Sequence, residues 1–423
     1  MMLHFSKAQM AESVDALVSN TSGAIRAGST PALGTERNLE WFLFFLGFMY
    51  RIPNLFFFYS GKLVCSYFLL YLCNEFIANI MTNKELYLQF CQKHSSMPIF
   101  MQPWWLDAVG AGKAWDVIIV TSENIQLSTP DSTESEDILN DDIVFTEDNK
   151  IVVAVMPYLI RKKWWMTYIL MPQETQLGGV WISPSFSSYA EQISQYVAQE
   201  LQAMKLHYYY QHYCIDNPCP SYLESLGFKI KKHTTYRIEE LEDLDSVIKR
   251  FSKNQKRNLQ KALSLHAEHD SLSAEQFYRF HTDCLKARRR NISYTREFLL
   301  VLYIKAQRLN QCQVLSIHNA DGEVYAAAFL VWDSQCMYYL IPCFAFEHKD
   351  SGASSLLVLE AIKLAREKGV AFDFEGSNKR NIAKFYKQFG SKPKTYFSVK
   401  KYYRPLFVFA MLYNRIKNLA YKL

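Results

Sequence analysis

The sequence predicts a mixed α/β protein made of two successive units, each with a central mixed sheet. Between residues 337 and 399 the chain reads as strand, polar turn, helix, strand, short helix and strand. Residues 97–240 give a related order, with a hairpin, a helix and further strands. At 423 residues and 49% hydrophobic content, the chain is long enough to bury two cores.

Residues 1–80 differ from the rest and are expected to be a disordered, non-native extension. Residues 9–35 show neither helical nor strand periodicity and resemble a translated transfer-RNA gene. Residues 41–80 have the composition of a translated AT-rich spacer, so we expect the native protein to begin at Met81. One alternative is a membrane anchor, although the apolar runs 41–50, 52–59 and 63–73 are each too short to span a bilayer. The other is a genuine soluble extension.

The first unit is assigned to residues 81–240. Residues 104–109 predict a short helix and 115–121 a strand, and the acidic and polar stretch 128–149 predicts a solvated loop. The elements that follow are, in order, a hairpin from 151–162 and 164–170, a helix at 188–204, a strand at 208–215, a helix at 221–226 and a strand at 234–239.

The second unit is assigned to residues 241–400 and opens with a single basic helix at 244–263. Residues 401–423 form a basic aromatic tail. The elements between are helices at 274–290 and 296–309, a hairpin from 313–318 and 324–333, a strand at 337–342, a helix from just after Gly352 to Gly369, a strand at 370–374, a short basic helix closed at 389–390 and a strand at 395–399.

Charge and cysteine usage exclude several functional classes. Residues 1–80 hold five basic and five acidic residues, so the net charge of +6 belongs to 81–423. That excess fits an anionic ligand and is too small to argue for DNA binding. The nine cysteines are scattered and the histidines lack metal-ligand spacing, which predicts reduced thiols, a cytoplasmic protein and no metal site.

A family resemblance rests on three motifs. The run 372–377 (FDFEGS), followed by 382–385 and Phe389-Gly390, resembles the FemAB-like acyltransferases of the GNAT superfamily, and most of all the BioF2-like or acetyltransferase 6 branch. The basic motif at 253–262 and the opening at 98–109 are similar to that family as well. The resemblance spans about 97–399 and implies two tandem GNAT-like folds, with the active cleft mainly in the second.

The resemblance also implies a cofactor turn. A GNAT fold holds the pyrophosphate of acyl-CoA on backbone N–H groups at a helix N-terminus, where the dipole favours anions. In this sequence the turn would carry Asp350, whose carboxylate would repel phosphate. The alternative is an ordinary helix N-cap by one of its serines. The predicted cofactor-binding residues are Lys349, Ser351, Gly352, Ala353 and Ser354.

Acyl transfer to an amine needs a base and a group that supports the leaving group. Asp373 and Glu375 lie two apart on a predicted strand and should share a face, so either is a candidate base. The alternative is that one of them caps the next helix or pairs with Lys379 or Arg380. Tyr386 is the candidate donor to the leaving group, and its alternative is a core position.

Basic residues near these motifs predict a rim for an anionic, nucleotide-linked or lipid-linked amine substrate. The alternative is a solvated charged face. The candidate substrate-binding residues are Arg257, Arg288, Arg289, Ser377 and Lys379.

Three functional hypotheses remain open on the sequence alone. The first is an N-acyltransferase that moves an acyl group from acyl-CoA to an amine of an amino sugar, amino acid or cell-envelope precursor. The second is an aminoacyl-tRNA-dependent peptidyltransferase, whose long helical hairpin finds no counterpart at 244–309. The third is a catalytically inactive binding protein. The tail 402–423 either contacts the inner face of the membrane weakly or packs on its own domain.

Overall fold

A computed structural model describes residues 82–110, 112–113, 115–127, 143–215, 220–269, 272–376, 380–404 and 407. These residues belong to one structural unit that begins at Thr82. The predictions for residues 1–80, for most of the loop at 128–149 and for most of the tail fall outside the described residues.

The helices follow the predicted order, with an additional helix at the start. Thr82 caps the N-terminus of this additional helix in a capping box. The helices are α1 (Asn83–Lys93), α2 (Pro103–Val109), α3 (Ala190–Ala203), α4 (Leu244–Lys249), α5 (Lys253–Lys261), α6 (Ala274–Lys286), α7 (Arg296–Arg308), α8 (Ala353–Glu367) and α9 (Arg380–Lys387). The segment predicted as a helix at 221–226 is a short 3₁₀ turn, Ser221–Glu224.

The strands also follow the predicted order, with β4 and β7 in addition. They are β1 (Trp115–Thr121), β2 (Val152–Lys163), β3 (Met166–Ile169), β4 (Trp181–Ile182), β5 (Tyr208–Tyr213), β6 (Lys229–Ile238), β7 (His266–His269), β8 (Cys312–His318), β9 (Val324–Trp332), β10 (Cys336–Phe344), β11 (Ala371–Asp373) and β12 (Lys392–Tyr402).

The basic segment predicted as one helix at 244–263 is two helices, and the prediction is wrong on this point. Ser252 has an extended backbone, and its hydroxyl accepts a hydrogen bond from Gln255 N at 3.3 Å, which starts α5 afresh. The backbone N–H of Ser252 donates to the carbonyl of Gln388 at 2.8 Å. A tertiary contact therefore ends α4, although the hydrophobic spacing suggests a continuous helix.

The strands form one mixed sheet that runs through both predicted units. Its order is β1-β2-β3-β5-β12-β6-β11-β10-β9-β8-β7, and β4 pairs with β2 outside this path. β12 lies between β5 and β6, and β6 lies between β12 and β11, all antiparallel. The last strand of each predicted unit thus pairs with strands of the other, and the boundary at residue 240 stays a prediction.

Each half of the sheet contains one parallel pair joined through a helix. β3 runs parallel to β5, with α3 between them in the chain, and β10 runs parallel to β11, with α8 between them. The remaining strand pairs are antiparallel. The predicted mixed α/β class, with two related folds in tandem, is confirmed.

Two apolar clusters fix this arrangement. One packs α8 on the second half of the sheet and includes Leu357, Ile362, Phe372 and Phe374. The other packs α3 on the first half and includes Ile193, Val197, Leu201 and Tyr209. Each fully buried side chain of this kind contributes about 1.5–3 kcal/mol. The burial of Phe372 and Phe374 toward α8 leaves Asp373, between them, on the opposite face of the sheet.

Candidate active site

The second half of the sheet opens where β10 and β11 part. The two strands pair only from Cys336 to Tyr338 on β10 and from Ala371 to Asp373 on β11. β11 ends there, whereas β10 continues to Phe344 with an irregular register toward β9 after Tyr338. Open α/β sheets bind ligands outside the carboxyl ends of their strands. The candidate carboxylates Asp373 and Glu375 lie at this opening.

Asp373 is a fixed, fully paired carboxylate. Its side chain is 0% exposed, and Arg237 Nε donates to its Oδ2 at 2.6 Å. The hydroxyl of Thr235 also donates to Asp373 Oδ1. The same oxygen accepts a hydrogen bond from the backbone N–H of Glu375 at 2.7 Å. Asp373 therefore holds the backbone of Glu375 in place, and its own role as a base stays a prediction.

Glu375 does not continue the strand as predicted. β11 ends at Asp373, and Glu375 has a left-handed backbone with φ of 60°. The next residue, Gly376, passes so close to β6 that a Cβ there would fall 2.6 Å from the carbonyl oxygen of Thr234. A left-handed non-glycine residue is strained and is common at functional sites. The bond from Asp373 and the contact with β6 together impose this conformation.

The side chain of Glu375 lies at this opening. Its Oε1 is buried and has no hydrogen-bond partner among the residues that the structure describes. Burial, with the charges of Asp373 and Glu174, raises the pKa of Glu375 well above its ordinary range. Burial also raises the pKa of Glu174, which itself has a left-handed backbone with φ of 50°. The charge of Glu174 thus disfavours ionisation of Glu375, and a carboxyl group whose pKa is raised in this way is suited to proton transfer.

Polar side chains from α6 and the loop after it lie near these carboxyls. Ser293 Oγ lies 3.5 Å from Glu174 Oε1, and His281 Nδ1 lies 2.6 Å from the hydroxyl of Tyr294. Burial, with the charge of Arg288, lowers the pKa of His281 to about 4, so the ring is neutral at physiological pH. Burial and the charge of Glu174 are among the causes that raise the pKa of Tyr294.

The predicted arginine run lies at the far end of β10. Arg288 donates from Nη2 to the carbonyl of Phe344 at 2.8 Å, and its guanidinium lies 3.9 Å from the centre of that ring. Its Nε is buried and finds no partner within the described part of the chain. Arg289 is exposed, with φ of 54°. Their binding roles stay predictions.

The predicted cofactor turn lies at the N-terminus of α8, as expected. Gly352 is the N-cap with φ of 85°, and Ser351 Oγ accepts from Ala353 N at 3.2 Å. A Cβ on Gly352 would fall 2.1 Å from the carbonyl oxygen of Asn258 on α5, so helix packing alone requires glycine here. Ser354 is partly buried on the first turn. Phosphate binding by this turn stays a prediction.

The remaining predicted site residues lie around this turn or in the core. Lys349 is exposed beside the turn, and Arg257 is exposed on α5, next to the Asn258 that touches Gly352. Arg257 is thus adjacent in sequence to a residue that contacts the cofactor turn, and its role in substrate binding stays a prediction. Tyr386 lies on α9 and packs in the same apolar cluster as α8, with its ring centre 4.5 Å from that of Phe374. That burial matches the core alternative for Tyr386.

Some predictions about the site cannot be placed. Ser377 and Lys379 lie outside the described residues. Within the described part of the chain, no group of three metal-ligating side chains is found. In the same part of the chain, no helix is long and apolar enough to cross a membrane.

Sequence reasoning missed the partners of both carboxyls. Thr235 and Arg237 lie two residues apart on β6, which pairs with β11. This spacing identifies them as partners of Asp373 only once the pairing of β6 with β11 is known. Glu174 comes from an irregular loop of the first half, where no periodicity marks it.

Comparison with known proteins gives one family match. Residues 235–388 match the family model of the acetyltransferase (GNAT) domain. This segment is therefore similar to a GNAT domain. It contains β10, α8, β11 and both candidate carboxyls, so the predicted FemAB-like GNAT resemblance and the acyltransferase class are confirmed. No curated protein matches the chain.

Solved structures extend the likeness to the whole described fold. The crystal structure of FemX matches with a TM-score of 0.54 and 12% identity, over 75% of this chain and 96% of its own. At that identity the likeness shows a shared fold. L-PGS from Bacillus licheniformis matches at TM-score 0.38 and 13% identity, over 65% of this chain and 88% of its own. A tandem GNAT protein from the clavulanic acid biosynthesis pathway matches at TM-score 0.38 and 8% identity, over 68% and 98%.

Proposed function

We propose that the protein is an N-acyltransferase that transfers an acyl group from acyl-CoA to an amine of an amino sugar, amino acid or cell-envelope precursor. Glu375 is the proton acceptor in this proposal. The observation that supports it is the buried, unpartnered Oε1 of Glu375 at the point where β10 and β11 part, inside the GNAT domain.

The proposed reaction uses the raised pKa of Glu375. An amine is mostly an ammonium ion at neutral pH and must lose a proton to attack. The Glu375 carboxylate takes one proton from the ammonium ion, and the amine nitrogen then bonds to the thioester carbonyl carbon. The C–S bond breaks, and the released CoA thiolate takes up the second proton, which the nitrogen loses as the amide forms. A base is most effective when its pKa lies near the working pH. Asp373 pairs with Arg237 and keeps the backbone of Glu375 in position.

The donor is proposed to bind at the N-terminus of α8. That end carries the positive pole of a helix Ala353–Glu367, and the exposed Lys349 and Arg257 add positive charge around it. The backbone N–H groups of Gly352 and Ser354 and these two cations would hold the pyrophosphate. The thioester would then supply the acyl group at the opening beside Glu375.

The test measures release of CoA thiol from acetyl-CoA in the presence of a panel of amines, namely glucosamine, individual amino acids and diamines. We expect amine-dependent release by the wild type and a fall of about 10²–10⁴ in kcat for Glu375→Gln. The matched control is Glu367→Gln at the exposed far end of α8, which should keep the wild-type rate.

Two outcomes would contradict the proposal. Full activity in Glu375→Gln would remove this residue as the base. Turnover with aminoacyl-tRNA and none with acetyl-CoA would replace the donor and support the peptidyltransferase alternative.

A further inference from the structure

Two tryptophans form the tip of the hairpin between β2 and β3. Lys163 pairs with Met166, so Trp164 and Trp165 are the two residues of the turn. Their side chains are 68% and 60% exposed. Tryptophan is highly buried on average, and adjacent exposed apolar side chains mark interaction sites. Their exposure therefore indicates that the two tryptophans bind something outside the described fold.

The backbone at the tip indicates that the side chain has a function. Trp164 has φ of 55°, in the left-handed region. Two-residue hairpin turns usually place Gly, Asn or Asp at such a position, because a bulky side chain there is strained. Strain of this kind persists at sites where the side chain serves a purpose. Trp164 occupies the position in spite of this cost.

The charge around the tip has one sign. Arg161, Lys162 and Lys163 immediately precede the tryptophans, and residues 151–173 contain no Asp or Glu. Lys162 and Lys163 are exposed, and Lys163 Nζ lies 5.3 Å from the ring centre of Trp164. We call residues 161–165 the Trp tip. It presents aromatic surface and positive charge together.

The C-terminal segment leaves the sheet beside this hairpin. The ring of Trp165 lies 5.2 Å from that of His207. The carbonyl of His207 accepts hydrogen bonds from Tyr403 N at 3.1 Å and Arg404 N at 3.3 Å. The sequence that follows, 405–423, is rich in aromatic and basic residues and contains no Asp or Glu. The backbone of Tyr403 and Arg404 thus lies next to the Trp tip.

We propose that the Trp tip is a membrane-docking site that inserts Trp164 and Trp165 among the headgroups of an anionic bilayer. Arg161, Lys162 and Lys163 then lie against lipid phosphates. Tryptophan is enriched at the membrane–water interface, and basic residues near an anionic leaflet each strengthen binding by about fivefold. The cores of protein–protein interfaces are depleted in lysine, which disfavours a protein partner for so narrow and basic a tip.

The experiment uses the full chain and vesicles made of equal parts phosphatidylcholine and phosphatidylglycerol, with the bound fraction measured by flotation. Trp164→Ala/Trp165→Ala should weaken binding about tenfold or more at every salt concentration. Lys162→Glu/Lys163→Glu should weaken it strongly at low salt, and the difference should shrink as salt screens the charges. Vesicles of phosphatidylcholine alone should bind the wild type less.

A matched control separates this site from general surface hydrophobicity. Leu263 is 81% exposed and lies just before β7, eight strands from β3 in the sheet order. Leu263→Ala should bind vesicles as the wild type does. Trp164→Phe/Trp165→Phe keeps aromatic rings at the tip, so it should retain most of the vesicle binding. Brominated lipid should quench the fluorescence of Trp164 and Trp165 in the wild type, and this quenching should be lost in the double phenylalanine variant.

Three results would overturn the proposal. One is unchanged vesicle binding by Trp164→Ala/Trp165→Ala. Another is an equal loss in Leu263→Ala. The third is a wild type that ignores vesicles but self-associates through the tryptophans, shown by sedimentation as a dimer that the double alanine variant loses. Melting curves of the alanine variant should match the wild type, since both side chains are exposed.

Discussion

Replacing Arg237 with methionine should destabilise the protein by about 3–5 kcal/mol, because it leaves a buried carboxylate without its partner. Asp373 is 0% exposed and Arg237 is 11% exposed, with 2.6 Å between Arg237 Nε and Asp373 Oδ2. Methionine fills a similar volume, so most of the cost comes from the uncompensated charge. Thr235 and the backbone N–H of Glu375 still donate to Asp373, which places the expected loss toward the lower part of that range.

The measurement is the free energy of unfolding from urea titrations of the wild type, Arg237→Met, Asp373→Asn and the double variant. The double variant should lose less than Arg237→Met alone, because the buried charge is gone. Arg279→Met is the matched control: Arg279 forms an exposed pair with Glu275 at 3.2 Å, and its loss should cost at most about 1 kcal/mol. Equal costs for Arg237→Met and Arg279→Met would refute the view that Asp373 is a buried anchor.

Two further predictions concern Glu375 and Gly352. Because the folded pKa of Glu375 is raised above its unfolded value, burial of this carboxyl costs stability as pH rises from the unfolded pKa to the folded one. Glu375→Gln should therefore have the same free energy of unfolding as the wild type in acid. Between the unfolded and the folded pKa, its stability relative to the wild type should rise by about 1.4 kcal/mol per pH unit, measured by urea titrations at several pH values. A stability difference that does not change with pH would contradict the raised pKa. By the same assay, Gly352→Ala should lower the free energy of unfolding by more than about 2 kcal/mol. Gly322 also has a left-handed backbone, with φ of 83°, but nothing lies within 4 Å of an added Cβ. Gly322→Ala should therefore cost only the backbone strain, about 1 kcal/mol. Equal losses at the two glycines would show that α5 yields to the added methyl group.

Local elements were largely predictable because their signals are local. The hairpins, α3 and the strand–helix–strand segment around α8 carry clear periodicity and turn residues, and each forms close to its predicted bounds. The pairing of β6 with β11 and β12, and of β12 with β5, has no such local signal. Strand partners are chosen by tertiary packing, and the alternation along a strand is the same whichever neighbour it has.

The candidate site was predictable in part. The order of acidic residues identified Asp373 and Glu375, but the assumption that both continue a strand failed. Glu375 departs from it because the side chain of Asp373 bonds its backbone and Gly376 presses on β6. Glu174 reaches the site from another part of the chain, so its effect on the pKa of Glu375 could only come from the fold. Sequence gave the residue types, and the fold decided which carboxyl is paired.

The most direct test of this account is the ionisation of Glu375 itself. In protein labelled with ¹³C at the glutamate side-chain carboxyl, the resonance missing from Glu375→Gln identifies this group, and its chemical shift is followed across pH. The account predicts that Glu375 loses its proton at a clearly higher pH than a glutamate side chain in a model peptide does. Titration of Glu375 together with the exposed glutamates would contradict it.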